Sequence, residues 1–304
     1  VFDPAEQLEH LQMAVQVAGV EVSEIVLPED RDIKVGALRL HYLDWGNPDR
    51  PPLVFLHGGA LTAHTWDVVC LALRDQYHCL ALDQRGHGDS DWADDYSHER
   101  HCEDITGFIE QLGIDRTVMI GQSMGGLNSI VYAGGSTRRL AALVIVDVGP
   151  ELNLGGTRRI GDFIRDTPEA ESIDAFIEKA MAFNPRRDPL LLRRSLLHNL
   201  RQQPNGKWTW KWDPNRMRDG ASRIEDHIEA MRRLWTHVER IDCPVLVMRG
   251  GKSDVFSDAN AQKLAATLPQ GRWVRIDDAG HTVQGDNPRD MVRVLREFFR
   301  EIQY

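Results

Sequence analysis

The sequence predicts an α/β fold with a mostly parallel central sheet and helices on both faces. Two observations carry this expectation: short strands, apolar on both faces, recur along the chain, and segments with helical apolar spacing separate them. A third is a glycine-flanked serine at the end of one of those strands, which points to where the chemistry lies.

The elements follow in order. Pro52-Leu53-Val54-Phe55-Leu56 is a compact apolar strand ending in His57-Gly58-Gly59-Ala60, where two glycines let the backbone fold close to a ligand. Cys79 to Leu82 forms another strand and leads into Asp83-Gln84-Arg85-Gly86-His87-Gly88-Asp89-Ser90, where Asp83 and Arg85 read as a turn-stabilising pair. Val118-Met119-Ile120 runs into Gly121-Gln122-Ser123-Met124-Gly125-Gly126 and a helical pattern from Met124 to Ala133. Strands at Ala142 to Asp147, Pro244 to Met248 and Trp273 to Ile276 complete the set. Ile105, Phe108, Ile109 and Leu112, then Val292, Leu295, Phe298 and Phe299, are spaced as helix faces. Ligands of such sheets bind beyond the carboxyl ends of the strands, where Gly59, Ser123, Asp254 and His281 fall.

The spacing around Ser123 has a physical reason. A nucleophile projecting from a strained strand-to-helix turn needs nearly bare neighbours two residues away, and Gly121 and Gly125 supply them. The helix that follows offers unpaired N–H groups to an oxyanion, and the loop after Leu56 can aim a second donor. His281, freed by Gly280, is the expected base, and Asp254 in Gly250-Gly251-Lys252-Ser253-Asp254 the expected acid. Asp147 also ends a strand and is the alternate acid. Among the twelve histidines, His57 reads as a brace for its loop, whereas His64, His87, His98 and His101 lack a strand-end placement.

Through these motifs, together with the chain order Ser123, Asp254, His281, the sequence resembles the α/β-hydrolase superfamily from about residue 24 to the C-terminus. The resemblance implies oxyanion donors at the backbone N–H groups of Gly59 and Met124. It also implies hydrolysis of a carboxylic ester or lactone through an acyl-enzyme, without a cofactor or metal. Epoxide hydrolases and haloalkane dehalogenases of similar fold need an aspartate at the elbow, so a serine here points to acyl transfer. Carbon–carbon bond hydrolysis of a diketone-like acid would use the same three residues, and a small-molecule receptor would keep the fold; a complete triad favours catalysis.

The expected organisation is an N-terminal helical extension over residues 1–23, a core over 24–149 and 243–304, and a helical cap over 150–242, where the strand-helix rhythm breaks. Helical spacing marks Ile160 to Ile164, Ile173 to Phe183, Leu190 to Leu200 and Ile224 to Val238. Trp208, Trp210 and Trp212 alternate as one apolar face that packs the cap, whose lining favours an uncharged, largely apolar substrate. Arg186-Arg187 and Arg193-Arg194 read as solvated helix faces. Ala5 to Ala18 forms an amphipathic helix that docks on the body or on a second subunit, as in a homodimer.

Composition sets limits. With 36 basic and 46 acidic residues among 304, the net charge of −10 disfavours nucleic acid and anionic membranes as partners. No apolar run approaches the roughly 18 residues that span a bilayer. No phosphate loop or clustered cysteine-histidine spacing suggests a nucleotide or zinc. Four scattered cysteines, without a basic start and apolar core at the N-terminus, fit a cytoplasmic protein with reduced thiols.

Overall fold

A computed structural model describes residues 3–135, 139–185, 187–217 and 224–304. Helix α1 (Pro4–Ala18) opens on the Asp3 side chain, which accepts from the Ala5 N–H, and closes on Gly19 at φ 62°. Its Leu11 and Val15 are buried in the body's own core. A hairpin of β1 (Glu29–Val35) and β2 (Leu38–Asp44) follows, turning at Gly36 with φ 58°. Next come β3 (Pro52–Leu56), α2 (Asp67–Leu73), β4 (His78–Leu82), α3 (His98–Gln111), β5 (Thr117–Gln122), α4 (Met124–Gly135) and β6 (Leu140–Val146). After a long excursion the chain returns through β10 (Val245–Gly250), α9 (Asp258–Thr267), β11 (Gly271–Ile276), α10 (Val283–Asp286) and α11 (Pro288–Glu301).

The sheet order is β1-β2-β4-β3-β5-β6-β10-β11. β2 pairs antiparallel with β1 and β4, and the remaining neighbours run parallel. The mostly parallel α/β fold expected from the sequence is therefore present. Strands β3 to β6 are covered on both faces. One face packs with Leu11, Val69 and Phe298 of α1, α2 and α11, and the other with Phe108, Ile130 and Leu264 of α3, α4 and α9 and with Leu234 of α8 (Ile224–Val238). The hairpin at the sheet edge was not anticipated: β1 is exposed at most positions, so its sequence Glu-Asp-Arg-Asp-Ile-Lys-Val lacks an apolar run.

The excursion joins two adjacent parallel strands, β6 and β10. It contains α5 (Leu154–Asp166), β7 (Glu169–Ala170), α6 (Ile173–Phe183), α7 (Pro189–Asn199), β8 (Leu200–Gln202), β9 (Trp208–Trp210) and α8 (Ile224–Val238). β7, β9 and β8 form a small separate sheet. Phe176, Leu192, Leu196, Trp210 and Trp212 build a cluster of their own, with Phe176 edge-on to Trp210 at 5.2 Å and the Trp210 Nε1–H donating to the Thr167 carbonyl. Two of the three tryptophans are thus buried packing groups, as their alternation suggested.

Cys70, Cys79 and Cys243 are buried free thiols, and burial pushes the Cys243 thiol up to about 11. Among the described residues no helix is long and apolar enough to cross a membrane.

Candidate active site

Ser123 leaves the end of β5 at φ 51°, a backbone position that a serine adopts only under strain. The turn closes because its flanking glycines meet backbone. A Cβ at Gly121 would lie 2.4 Å from the Gly125 carbonyl oxygen, and one at Gly125 would lie 2.3 Å from that of Leu56. The Ser123 N–H donates to the Val146 carbonyl at 3.1 Å, which ties the elbow to the end of β6.

His281 brings the second functional group. Its Nε2 stands 3.0 Å from Ser123 Oγ and its Nδ1 2.8 Å from Asp147 Oδ2. A carboxylate only accepts, so the proton sits on Nδ1 and the Nε2 lone pair faces the serine hydroxyl. The loop is anchored where Gln122 Nε2–H donates to the His281 carbonyl and the Gly280 N–H donates to Asp286.

Asp147, fully buried, is the carboxylate that reaches this histidine, and Asp254 is not. Asp147 follows β6, the neighbour of β5, and turns at φ 52°. Its Oδ1 accepts from the Gly250 N–H at 2.8 Å, and its Oδ2 also accepts from Ser253 Oγ. Ser253 in the loop after β10 thus donates to the carboxylate from the neighbouring strand. Asp254, one residue further, is 43 % exposed and pairs with Arg159 of α5 at 3.2 Å. The structure thus brings Ser123 and His281 together with Asp147, the alternate acid of the sequence reading, and leaves its first choice, Asp254, paired elsewhere. Adjacent strand ends, rather than the loop nearer in sequence, bring the acid to the histidine.

The loop after β3 packs on the elbow: a Cβ at Gly58 would touch Ser123 Cβ at 3.2 Å. Gly59 is exposed beside it, Ala60 turns at φ 60° against the excursion's apolar cluster, and Met124 opens α4 directly after Ser123. His57 is fully buried; its Nε2 accepts from the Gln84 N–H at 3.0 Å, so its Nδ1–H donates to the Gly58 carbonyl. It braces the loop as its position implied.

Asp83 was not foreseen as a hub. It accepts from His41 Nδ1 at 2.8 Å, from the Ala63 N–H at 2.6 Å and from the Asp89 N–H at 3.0 Å, joining β2, the glycine loop and the loop after β4. Burial works to raise its carboxyl, but the hydrogen bond and charge of His41 outweigh this and hold it far below the usual range. Burial likewise opposes charge on His41, yet Asp30 and Asp83 raise it to about 10. Arg85 does not pair with Asp83; it forms a bidentate pair with Asp104 of α3.

The arginines of the excursion also depart from expectation. Arg193 is exposed and pairs with Asp174, whereas Arg194 is buried and Nη2–H donates to Asp67 Oδ2 at 2.5 Å. Arg187 is half-buried against Gly285 in α10, just beyond His281, and desolvation there lowers its pKa; Arg186 lies outside the described residues. Burial also pushes Asp67 up, but His64 and Arg194 hold it below its ordinary value.

Residues 51–288 match a family model described as the alpha/beta hydrolase fold. The chain is 33 % identical to the esterase Rv0045c of Mycobacterium tuberculosis over 89 % of both proteins. It is 27 % identical to a 3-hydroxybutyrate-oligomer hydrolase of Cupriavidus necator, over 87 % of this chain and 94 % of that one. A crystal structure of Rv0045c superposes with a TM-score of 0.78 at 30 % identity, covering 97 % of this chain and 98 % of that one. The chain belongs to the α/β-hydrolase family.

Proposed function

We propose that this α/β-hydrolase is a serine esterase that cleaves carboxylic esters or lactones through an acyl-enzyme. The observation that carries the reading is His281 between Ser123 Oγ and buried Asp147. His281 Nε2 takes the hydroxyl proton as Ser123 Oγ attacks the acyl carbon, then returns it to the leaving alkoxide. Asp147 holds the Nδ1 tautomer and offsets the imidazolium charge. The N–H groups of Gly59 and Met124 receive the developing oxyanion. Water, deprotonated by the same His281, then attacks the acyl-enzyme and restores Ser123. Residues 150–242 act as a cap, and the apolar cluster meeting Ala60 favours uncharged, apolar acyl groups. The relatives named an esterase and an oligomer hydrolase support ester chemistry.

The test is intact mass after brief fluorophosphonate exposure, paired with turnover of p-nitrophenyl esters and a lactone panel. We expect one adduct on the parent and none on Ser123→Ala. Asp147→Asn should lose about 10⁴-fold in turnover, as expected when the histidine tautomer is no longer fixed. Asp254→Asn, which breaks only an exposed ion pair, should stay within about twofold. An Asp254→Asn enzyme as inactive as Asp147→Asn, or a folded parent that neither labels nor turns over, would sink the proposal.

A further inference from the structure

We propose that His64, Asp67 and His198 form a site for one divalent transition-metal ion, of the Zn²⁺ and Co²⁺ class, that clamps the excursion onto the sheet domain. The three side chains come from different parts of the chain. His64 lies in the short 3-10 turn Ala63–Trp66 that follows the glycine loop, Asp67 opens α2, and His198 lies in the last turn of α7. One ligand atom from each lies within 4.8 Å of the others. Two imidazoles and a carboxylate are the donor set that borderline divalent ions prefer.

Two further observations point to an occupant. Asp67 is 1 % exposed, and its Oδ1 accepts no hydrogen bond, while Oδ2 is held by Arg194 Nη2 and His64 Nδ1. An ionised oxygen buried without a partner is costly, and a cation bound there would relieve that cost. Asp67 and His64 also line a cavity of about 40 Å³ between α1, α7 and α10. Gln284 Oε1, on the same cavity, is likewise buried without a hydrogen bond. Of the two guanidiniums that face it, Arg194 is paired with Asp67 through Nη2 and Arg187 lies 3.9 Å from Asp286, while the Nε–H of each is buried without an acceptor.

The His64 and His198 rings are stacked at 3.7 Å between centroids. Ligands on one tetrahedral ion at about 2.0–2.1 Å sit roughly 3.3 Å apart, so binding requires the rings to turn and the site to contract. That contraction has a mechanical effect. Thr62, two residues before His64, donates its Oγ1–H to Oδ1 of Asn199, the residue after His198, so the two segments already touch. An ion joining His64 to His198 would fix α7 to the chain that carries Gly58 and Gly59, and would slow any turnover that needs the two to part.

The experiment is titration of the chelator-treated parent with Zn²⁺ by calorimetry and with Co²⁺ by visible absorption, alongside His64→Gln, His198→Gln and His281→Ala. Circular dichroism and melting in chelator would check that each variant is folded. We expect one equivalent with a Co²⁺ spectrum of low coordination number. Affinity should be retained in His281→Ala and fall by about tenfold or more in His64→Gln and His198→Gln. The ion should raise the melting temperature of the parent and of His281→Ala alone. Absence of saturable binding, unchanged affinity in both folded glutamine variants, or loss of the ion in His281→Ala would overturn the assignment, the last by locating the ion at the Ser123 centre.

Discussion

The carboxyl edge of the sheet and the excursion after β6 are held by different forces. At the sheet edge, backbone atoms fix the geometry: Ser123 and Asp147 each stand one residue beyond a strand, and Gly121 and Gly125 admit carbonyl oxygens where any Cβ would collide. In the excursion the strands are two or three residues long, and aromatic side chains carry the packing. The first region tolerates almost no change of residue type at its closest contacts. The second depends on volume and burial, which several residues can supply.

The largest expected contrast is therefore at the elbow. Gly125→Ala would put a methyl 2.3 Å from the Leu56 carbonyl oxygen and 2.7 Å from that of His57, both backbone atoms that cannot turn aside. We expect several kcal/mol of destabilisation, seen as loss of soluble protein; a soluble, active Gly125→Ala enzyme would erase the contrast. Trp210→Ala comes next. It removes a 7 % exposed indole and leaves the Thr167 carbonyl without its donor, a loss of roughly 3–5 kcal/mol confined to the excursion. Limited proteolysis should then cut within residues 150–242 while the sheet domain survives. Uniform degradation would mean that the two regions unfold together.

The smallest effect concerns the loop shared by both regions. It is fixed on the sheet side by Asp83 and His41 and on the other by Lys211, whose carbonyl accepts from the Gly88 N–H. His41 is raised from 6.5 to about 10, so its contribution to stability is full below pH 6.5 and declines as pH climbs toward 10. The melting temperature of the parent should fall from pH 6.5 to 10, and that of His41→Gln should fall less; parallel pH curves would show that His41 adds nothing.

This division also explains what the sequence could reveal. The elbow, the glycine loop and the histidine after β11 were legible because each requires particular residues at fixed spacing. The helices Ile173–Phe183 and Ile224–Val238 were legible from periodicity. The choice between Asp147 and Asp254 was not, because both follow a strand and only the strand order and the turn at Asp147 decide which reaches His281. A usable signal existed: β6 is the strand that neighbours the one carrying Ser123, and Ser253 is a ready donor to its acid. The hairpin was missed for its polarity, although Gly36 between Val35 and Leu38 is a turn cue. Arg187 and Arg194 read as solvated because burial of a cation is set by distant partners, Asp286 and Asp67, that spacing along the chain does not reveal.

Asp147 is the last residue before the chain departs toward α5, with only Val148 to Asn153 between them. Recombination between relatives would therefore find a natural seam here. A crossover after Asp147 leaves the acid with the parental sheet and lets the excursion be exchanged. A crossover before it imports a foreign carboxylate to face a resident His281 and Ser253. For libraries that shuffle substrate preference, the productive junction is fixed to within a few residues by this one side chain.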